Sequence, residues 1–270
     1  MKKALVTGVF AVVLAACATS PTGRSQLMLV SPDQAISSSR TAYVQQMRAF
    51  DEKGLISRDT ALVERVNRIT GRVVAQAIRQ YPDTADWEWS IEVIDEPETI
   101  NAWAMAGGRM AIYTGLIEKT KATDDEIAQV IGHEIAHAVA NHTAERMSVV
   151  MATQLGVLAV GVSTRDDRAM AGAAAAALLA INLPNSRTAE TEADRIGIEL
   201  AARAGYHPDA AASLWKKMAE AGGSGPPQFL STHPSPGNRQ QTLAQLAPKM
   251  MQYYRPEAEH PVHPMRPGRY

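Results

Sequence analysis

The feature that most constrains the fold of this chain is a predicted helix that is apolar on nearly every side and yet carries ionisable side chains. The segment 124–142 contains His-Glu-x-x-His at 133–137. Thr123 and Glu126 form a capping-box pattern, which predicts where the helix begins. A helix that is apolar all round is expected to be buried, and buried His and Glu side chains are costly unless something compensates them. A metal ion would do so. The alternative is a pair of hydrogen-bonded core histidines.

The spacing inside this helix favours the metal. Residues four apart lie on one face, so His133 and His137 can bind the same ion. Glu134 lies one residue round the helix, where it can hydrogen-bond a water without binding the metal. Two imidazoles, an open position and a carboxylate base are what a zinc hydrolase needs. A third histidine six residues after the second is excluded, since that position holds Thr143. His142 is one residue off and is expected at the surface or just outside the site.

A candidate third ligand comes from a second predicted helix, 186–197. Glu190 and Asp194 are four apart and share one face, so one carboxylate could bind the metal while the other accepts a free ring N–H of a ligating histidine. Gly197 continues that face and would let two helices pack closely. Glu192 points elsewhere and is expected to be solvated. The alternative is an exposed charged helix with ordinary ion pairs.

These segments resemble the gluzincin metallopeptidases of the HtpX and CAAX-prenyl-protease family (metallopeptidase family forty-eight). The similarity is greatest to its soluble periplasmic members, which are often lipoproteins. It runs from about Thr22 to about Pro248. Other motifs support it in the same order, at 22–27, 101–104, 186–187, 204–206 and 232–235.

The resemblance implies roles for individual residues. Three of them would bind one zinc ion: His133, His137 and Glu190. By the same resemblance Glu134 is the catalytic base, and Asp194 supports a ligating histidine.

Two later residues are also implied in the site by the resemblance. His233 would lie near the zinc, where it could stabilise the oxyanion as a catalytic residue or block the water site in a resting state. Arg239 would orient nearby carboxylates or substrate carbonyls. From its sequence context alone, His233 is a loop histidine before a proline.

The fold expected is α+β, a mostly helical zincin-like domain with a small, mostly antiparallel sheet beside the active-site helix. Helices are predicted from Ser31–Pro32 to about Asp51 and from about Asp59 to Tyr81, and strands at 87–94, 101–106 and 109–113. In the family a strand of this region borders the cleft. The edge strand expected to bind an extended substrate consists of Asn101, Ala102, Trp103 and Ala104. The alternative is a plain structural hairpin.

The N-terminus resembles a bacterial lipoprotein signal. Residues 1–16 combine two lysines with an apolar run too short to span a bilayer, and they end in Leu14-Ala15-Ala16-Cys17. Cys17 is the only cysteine, so it has no partner for an intramolecular disulfide. We expect a signal peptide at 1–16, a lipidated Cys17 and a tether at 17–30, with Ala18 implying sorting to the outer membrane. Cleavage by an ordinary signal peptidase is the alternative.

The remainder reads as one domain at 31–250 followed by a disordered tail at 251–270. Without Lys2 and Lys3 the chain carries 25 basic and 28 acidic residues, a net charge of -3. This balance argues against nucleic acid as a partner. Two uncharged runs, 148–163 and 169–182, are each shorter than the ~20 apolar residues of a span. They are expected to form helices packed on the body, or a flap over the cleft, rather than membrane insertions.

The function predicted is that of a zinc metalloendopeptidase of the bacterial envelope. The resemblance implies protein or peptide substrates, unfolded or misassembled envelope proteins among them, in the periplasm at the outer membrane. It also leaves room for outer-membrane assembly machinery as a partner. One alternative is a chaperone-like or assembly-binding lipoprotein whose protease site is latent and blocked by His233. Another is a purely structural zinc ion, which would need a fourth protein ligand in place of water.

Overall fold

A computed structural model of the 270-residue chain describes residues 17–164, 168–174, 184–221, 228–233 and 239–266. The predicted signal peptide, 1–16, lies outside the described residues. So do Pro234 and Ser235 of the motif at 232–235, most of the second uncharged run, and residues 267–270 of the predicted tail.

The chain opens with a small hairpin. Strands β1 (Cys17–Thr19) and β2 (Ser25–Leu27) pair antiparallel. Gly23, in the turn, has a φ of 88° that suits glycine. The segment expected to be a loose tether is therefore folded against itself.

Two long helices follow and build the first layer. Helix α1 (Pro32–Glu52) begins at a complete capping box of Ser31 and Gln34, and helix α2 (Thr60–Gln80) is capped by the Asp59 side chain. Both begin and end within two residues of the sequence prediction. A short 3-10 turn, Pro82–Thr84, ends this layer.

The three predicted strands form one sheet in the order β3–β5–β4. They are β3 (Ser90–Ile94), β4 (Ala102–Met105) and β5 (Arg109–Tyr113). Strands β4 and β5 form the expected antiparallel hairpin, and Gly107 and Gly108 in its turn both have positive φ. The sheet is mixed, because after β3 the chain crosses to the far edge, and β5 returns between the two strands and pairs parallel to β3.

The helix that carries His-Glu-x-x-His lies at the centre of the core. After a short helix, α3 (Thr114–Lys119), helix α4 (Asp124–Val139) begins at the predicted capping box of Thr123 and Glu126. All of its residues from Glu126 onward are buried. The mostly helical α+β fold, with its sheet against this helix, is confirmed.

Five more helices complete the described chain: α5 (His142–Thr164), α6 (Pro184–Arg203), α7 (Ala210–Ala221), α8 (Gln228–Thr232) and α9 (Arg239–Met250). Helix α6 crosses α4 at two glycines. A Cβ added to Gly132 would lie 2.6 Å from the carbonyl oxygen of Gly197, and one added to Gly197 would lie 2.7 Å from the amide nitrogen of His133. The close packing expected at Gly197 is therefore present.

Helix α5 departs from the prediction. Its first turns are packed on the body, but no residue from Val149 to Ser163 is buried. The stretch His142–Ser163 has the length and apolar composition of a helix that could cross a membrane, and 6% of its apolar window is buried. The expectation that the first uncharged run packs on the body is wrong beyond Ser148. The helical segment 168–174 returns alongside it, with Met170 against Gly161.

The C-terminal segment also differs from the prediction. Composition predicted a disordered tail from residue 251, yet residues 251–266 follow the surface of the domain with defined contacts. The amide of His263 donates to the carbonyl of Gly71 (3.0 Å), and that of Arg266 donates to the carbonyl of Trp89 (2.9 Å). Main-chain hydrogen bonds do not depend on side-chain hydrophobicity, so composition did not reveal them.

Candidate metal centre

Helix α4 presents two imidazoles side by side. His133 and His137 point the same way because they are one helical turn apart, and their Nε2 atoms lie 3.1 Å from each other. Both side chains are buried, with 5% and 8% of their surface exposed. Two ring nitrogens therefore face a common point inside the protein.

Helix α6 brings a carboxylate to the same point. The Oε2 atom of Glu190 lies 3.3 Å from Nε2 of His133, and its Oε1 lies 3.3 Å from Nε2 of His137. The glycine crossing of α4 and α6 makes this possible, since it sets the two backbones close together. The structure thus joins the two stretches that sequence spacing singled out separately.

A third imidazole closes the cluster. His233 follows helix α8, and its ring stacks on Phe229 with centroids 4.5 Å apart. Its Nδ1 lies 3.3 Å from Nε2 of His133 and 3.2 Å from Oε1 of Glu190. One donor atom from each of His133, His137, Glu190 and His233 lies within 4.8 Å of all the others.

This donor set fits a metal ion. Three ring nitrogens and one carboxylate converge on a common buried point. Burial lowers the pKa of His137 well below its ordinary value, against the hydrogen bond to Glu190. Burial acts to raise the pKa of Glu190, but hydrogen bonds from the three histidines outweigh it and hold the pKa far below its usual range. A neutral imidazole and an ionised carboxylate are the forms that bind metal, and nitrogen with oxygen donors suit zinc.

His133 has a different balance. Burial and the charge of Arg239 act to lower its pKa, but hydrogen bonds to Asp194 and Glu190 raise it overall. A proton and a metal ion therefore compete for this ring, and metal binding would release the proton.

Glu134 lies beside the cluster, next to the sheet. Its Oε2 accepts a hydrogen bond from the amide of Ala104 (3.0 Å). Its Oε1 is buried, lies 3.3 Å from Nε2 of His233, and has no hydrogen-bond partner among the described residues. Burial raises the pKa of Glu134 to about 7, while charge on His233 opposes the shift and Glu190 adds to it. The carboxyl group can therefore hold or release a proton near neutral pH.

Asp194 and Arg239 support the cluster from behind. Asp194 places Oδ1 3.1 Å from Nδ1 of His133. Arg239 binds Asp194 through Nε and Nη2 (2.9 and 2.5 Å) and donates from Nη1 to Oε2 of Glu190 (3.1 Å). The guanidinium also lies over the ring of Trp215, 4.0 Å from its centroid. One buried cation thus holds Glu190 and Asp194 of α6.

The predicted edge strand borders a cleft that opens onto the cluster. Strand β4 is at the edge of the sheet and begins at Ala102, so Asn101 precedes it. The side-chain Oδ1 of Asn101 is buried and has no hydrogen-bond partner within the described parts of the chain. Trp103, Ala104 and Glu134 line a cleft of about 430 Å³. An extended chain in this cleft would lie along β4 and reach the metal cluster.

The sequence missed one residue beside the centre and left another open. Glu192 was expected in solvent and is buried, whereas His142 was expected at the surface or just outside the site and lies just outside it, buried against His137. Asn141 has a φ of 56°, which breaks the helix after Ala140 and returns His142 towards His137. The helical spacing used to place His142 therefore does not apply across the break. Glu192 is covered by Thr22 and Arg24 of the N-terminal segment, and no pattern near Glu192 in the sequence indicates this contact.

Comparison with known proteins agrees with this geometry. The model of "Peptidase family M48" matches residues 61–247, which include α4, α6 and Arg239. The chain is 34% identical over 243 residues to mitochondrial metalloendopeptidase OMA1 of Bos taurus, covering 85% of this chain and 46% of that protein. It is 30% identical over 208 residues to the β-barrel assembly-enhancing protease of Yersinia pestis, covering 73% of this chain and 40% of that protein.

A plant relative gives the same result over a shorter stretch. The chain is 38% identical over 157 residues to mitochondrial metalloendopeptidase OMA1 of Arabidopsis thaliana, covering 58% of this chain and 31% of that protein. The chain spans less than half the length of each of these three relatives. The family model covers most of the chain, and this chain therefore belongs to peptidase family M48.

Proposed function

We propose that this chain is a zinc-dependent metalloendopeptidase that hydrolyses peptide bonds in proteins of the bacterial envelope. The observation that carries the proposal is the buried cluster of His133, His137 and Glu190 with the Glu134 carboxyl group beside it. The relatives named metalloendopeptidase or protease support it.

The donor set assigns the parts of the site. His133, His137 and Glu190 would hold the zinc ion, with Asp194 and Arg239 fixing the orientation of His133 and Glu190. A zinc ion there supplies Lewis-acid activation of the scissile carbonyl and of a water molecule. Zinc binding would displace a proton from His133, whose pKa is raised, while the lowered pKa of His137 favours its neutral ring.

Glu134 carries the proton transfers. Its unpaired Oε1 is positioned to accept a proton from the attacking water, while the bond from the amide of Ala104 to Oε2 keeps the carboxyl plane fixed. With a pKa of about 7, the group can then return the proton to the leaving amine. The open cleft along β4 supplies room for an extended substrate, whose main chain would be bound with little dependence on side chains.

The geometry defines the role of His233 more closely than the sequence does. Its ring fills the fourth side of the cluster and contacts Oε1 of Glu134. With His233 as a fourth donor, no position at the site would remain open for water, so this arrangement corresponds to a closed, resting site.

The decisive measurement compares Glu134→Gln with wild type on an unfolded protein such as casein. We expect equal zinc content and a loss of hydrolysis of about 10² to 10⁴-fold, the usual contribution of general acid–base catalysis. Wild-type activity should also disappear with a chelator and return with zinc. A Glu134→Gln variant that digests casein at the wild-type rate would show that the base is elsewhere.

His233→Ala tests the closed arrangement. Removing a ring that fills the fourth side of the cluster should raise the rate of casein hydrolysis while zinc stays bound to the other three ligands. Phe229→Leu is a control, because it alters the surface on which the ring stacks but leaves the imidazole in place. A lower rate in His233→Ala with unchanged zinc would contradict the closed site and assign the ring to oxyanion stabilisation.

The location forms part of the same proposal. The mature protein would begin at Cys17, carry lipid there and be anchored in the outer membrane facing the periplasm, with a catalytic domain at 31–250. Cys17 is exposed at the start of the described chain, as a lipid attachment point must be. The name of the Yersinia relative, a β-barrel assembly-enhancing protease, favours envelope substrates and outer-membrane assembly machinery as a partner. Membrane fractionation of Cys17→Ser should find the protein in the soluble periplasmic fraction.

A further inference from the structure

The N-terminal segment Ser20–Gln26 forms ion pairs with carboxylates beside the metal centre. Arg24 donates from Nη1 and Nη2 to the two carboxylate oxygens of Glu145, both at 2.6 Å. Its Nε donates to Oε2 of Glu192 at 3.0 Å, and the hydroxyl of Thr22 donates to Oε1 of Glu192 at 2.6 Å.

Glu192 in turn reaches a metal ligand through one intervening ring. Its Oε2 lies 3.2 Å from Nε2 of His142, and Nδ1 of His142 lies 2.8 Å from Nδ1 of His137. All three side chains are buried. The contacts therefore form one continuous chain from the N-terminal segment to His137, whose ring faces Glu190.

The donors and acceptors along this line can be assigned in only one neutral arrangement. An ionised carboxylate only accepts, so Nε2 of His142 must carry the hydrogen. Nδ1 of a neutral His142 is then an acceptor, and Nδ1 of His137 must donate to it. The remaining nitrogen of His137, Nε2, keeps its lone pair, and this is the atom that lies 3.3 Å from Glu190.

We propose that Glu192 and His142 are positioning residues that fix the ring orientation and tautomer of His137, and that the N-terminal segment Ser20–Gln26 is thereby part of the metal centre. The inference rests on the proposed zinc site. It gives a chemical reason for the motif at 22–27, which otherwise lies far from the ligands in the sequence. Thr22 and Arg24 hold Glu192 in place, and Glu192 acts on the metal only through His142.

The test measures zinc dissociation constants by competition with a chromogenic chelator, together with thermal unfolding of the metal-free proteins. Glu192→Ala removes the acceptor and should weaken zinc binding about 10- to 100-fold, as loss of a partner of a ligating histidine typically does. Glu192→Gln keeps an oxygen that can accept from His142 and should stay close to wild type. His142→Leu removes the acceptor for His137 without touching the N-terminal contacts of Arg24, and should weaken zinc as Glu192→Ala does.

Glu145→Gln is the matched control. It weakens a buried partner of Arg24 at the same place in the fold, but the hydrogen bonds described for the Glu145 side chain go to Arg24 and Gln26, and that of Nε2 of His142 goes to Glu192. It should lower the unfolding temperature of the metal-free protein and leave zinc affinity unchanged. The absorption spectrum of the Co²⁺-substituted protein should change in Glu192→Ala and His142→Leu and stay as in wild type in Glu145→Gln.

Two results would overturn the inference while the zinc site stands. One is wild-type zinc affinity and cobalt spectrum in Glu192→Ala or in His142→Leu. The other is a loss of zinc affinity in Glu145→Gln as large as in Glu192→Ala, which would mean that the network only holds the fold together. A wild-type protein without stoichiometric zinc would instead remove the proposed function, and this inference with it.

Discussion

Helices α4 and α5 follow one another in the chain, and both are rich in apolar residues, yet their surroundings are opposite. Helix α4 carries His133, Glu134 and His137 and is buried from Glu126 to its end. Helix α5 has no charged residue beyond Arg146 until the described helix ends, and none of its residues from Val149 to Ser163 is buried. Four of its large apolar side chains face solvent: Met151, Leu155, Leu158 and Val162.

The difference shows what apolar composition can and cannot predict. A helix that is apolar all round must be covered by something, but its sequence does not say whether that cover belongs to the same chain. For α4 the cover is the sheet, α2 and α6, and Glu190 on α6 contacts both of its histidines. For α5 the described residues supply no cover beyond Ser148.

The largest effect is expected where the buried charges of this region lose their common partner. Arg239→Leu leaves Asp194 and Glu190 buried without their cation, and should lower the free energy of unfolding by about 3–5 kcal/mol. Urea denaturation of the metal-free protein measures it. Arg203→Leu is a control on α6, because its ion pair with Glu199 is partly exposed and should contribute less than about 1 kcal/mol. Equal losses of unfolding free energy in the two variants would mean that water reaches Arg239 and its two carboxylates.

A smaller change in stability is expected from a direct comparison of α4 with α5. Ile131→Ala removes a fully buried side chain from α4 and should cost about 2–5 kcal/mol in the same assay. Leu155→Ala, its counterpart on α5, removes a side chain that is 57% exposed and should change stability by no more than about 0.5 kcal/mol. A cost above about 1.5 kcal/mol for Leu155→Ala would show that α5 is covered in solution, and the contrast between the helices would fail.

Local patterns predicted the parts of the site that lie within single helices. The capping box of Thr123 and Glu126, and the shared face of His133 and His137, each follow from spacing along one helix, which the chain geometry fixes. The expected approach of α4 and α6 rested on Gly197, which does lie at their crossing. These are features in which a few neighbouring residues carry the whole physical cause.

Features that depend on distant partners were not predictable in this way. Glu192 reads as a solvated residue until Thr22 and Arg24, some 170 residues away in the chain, are brought onto it. The sequence did not decide between the surface and the edge of the site for His142, because the left-handed Asn141 interrupts the helical spacing. The parallel pairing of β3 with β5 depends on a crossover that strand patterns do not specify. In each case the deciding contact is between segments whose local sequences are independent.

The crossing of Gly132 and Gly197 has a consequence for how such a protein can vary. Because the backbones of α4 and α6 touch there, the separation of the ligands is set by that contact and not by the stretch of chain that joins the two helices. Segments beyond Ser148 could be lengthened, shortened or replaced, so that one chemical centre could serve proteins with very different attachments.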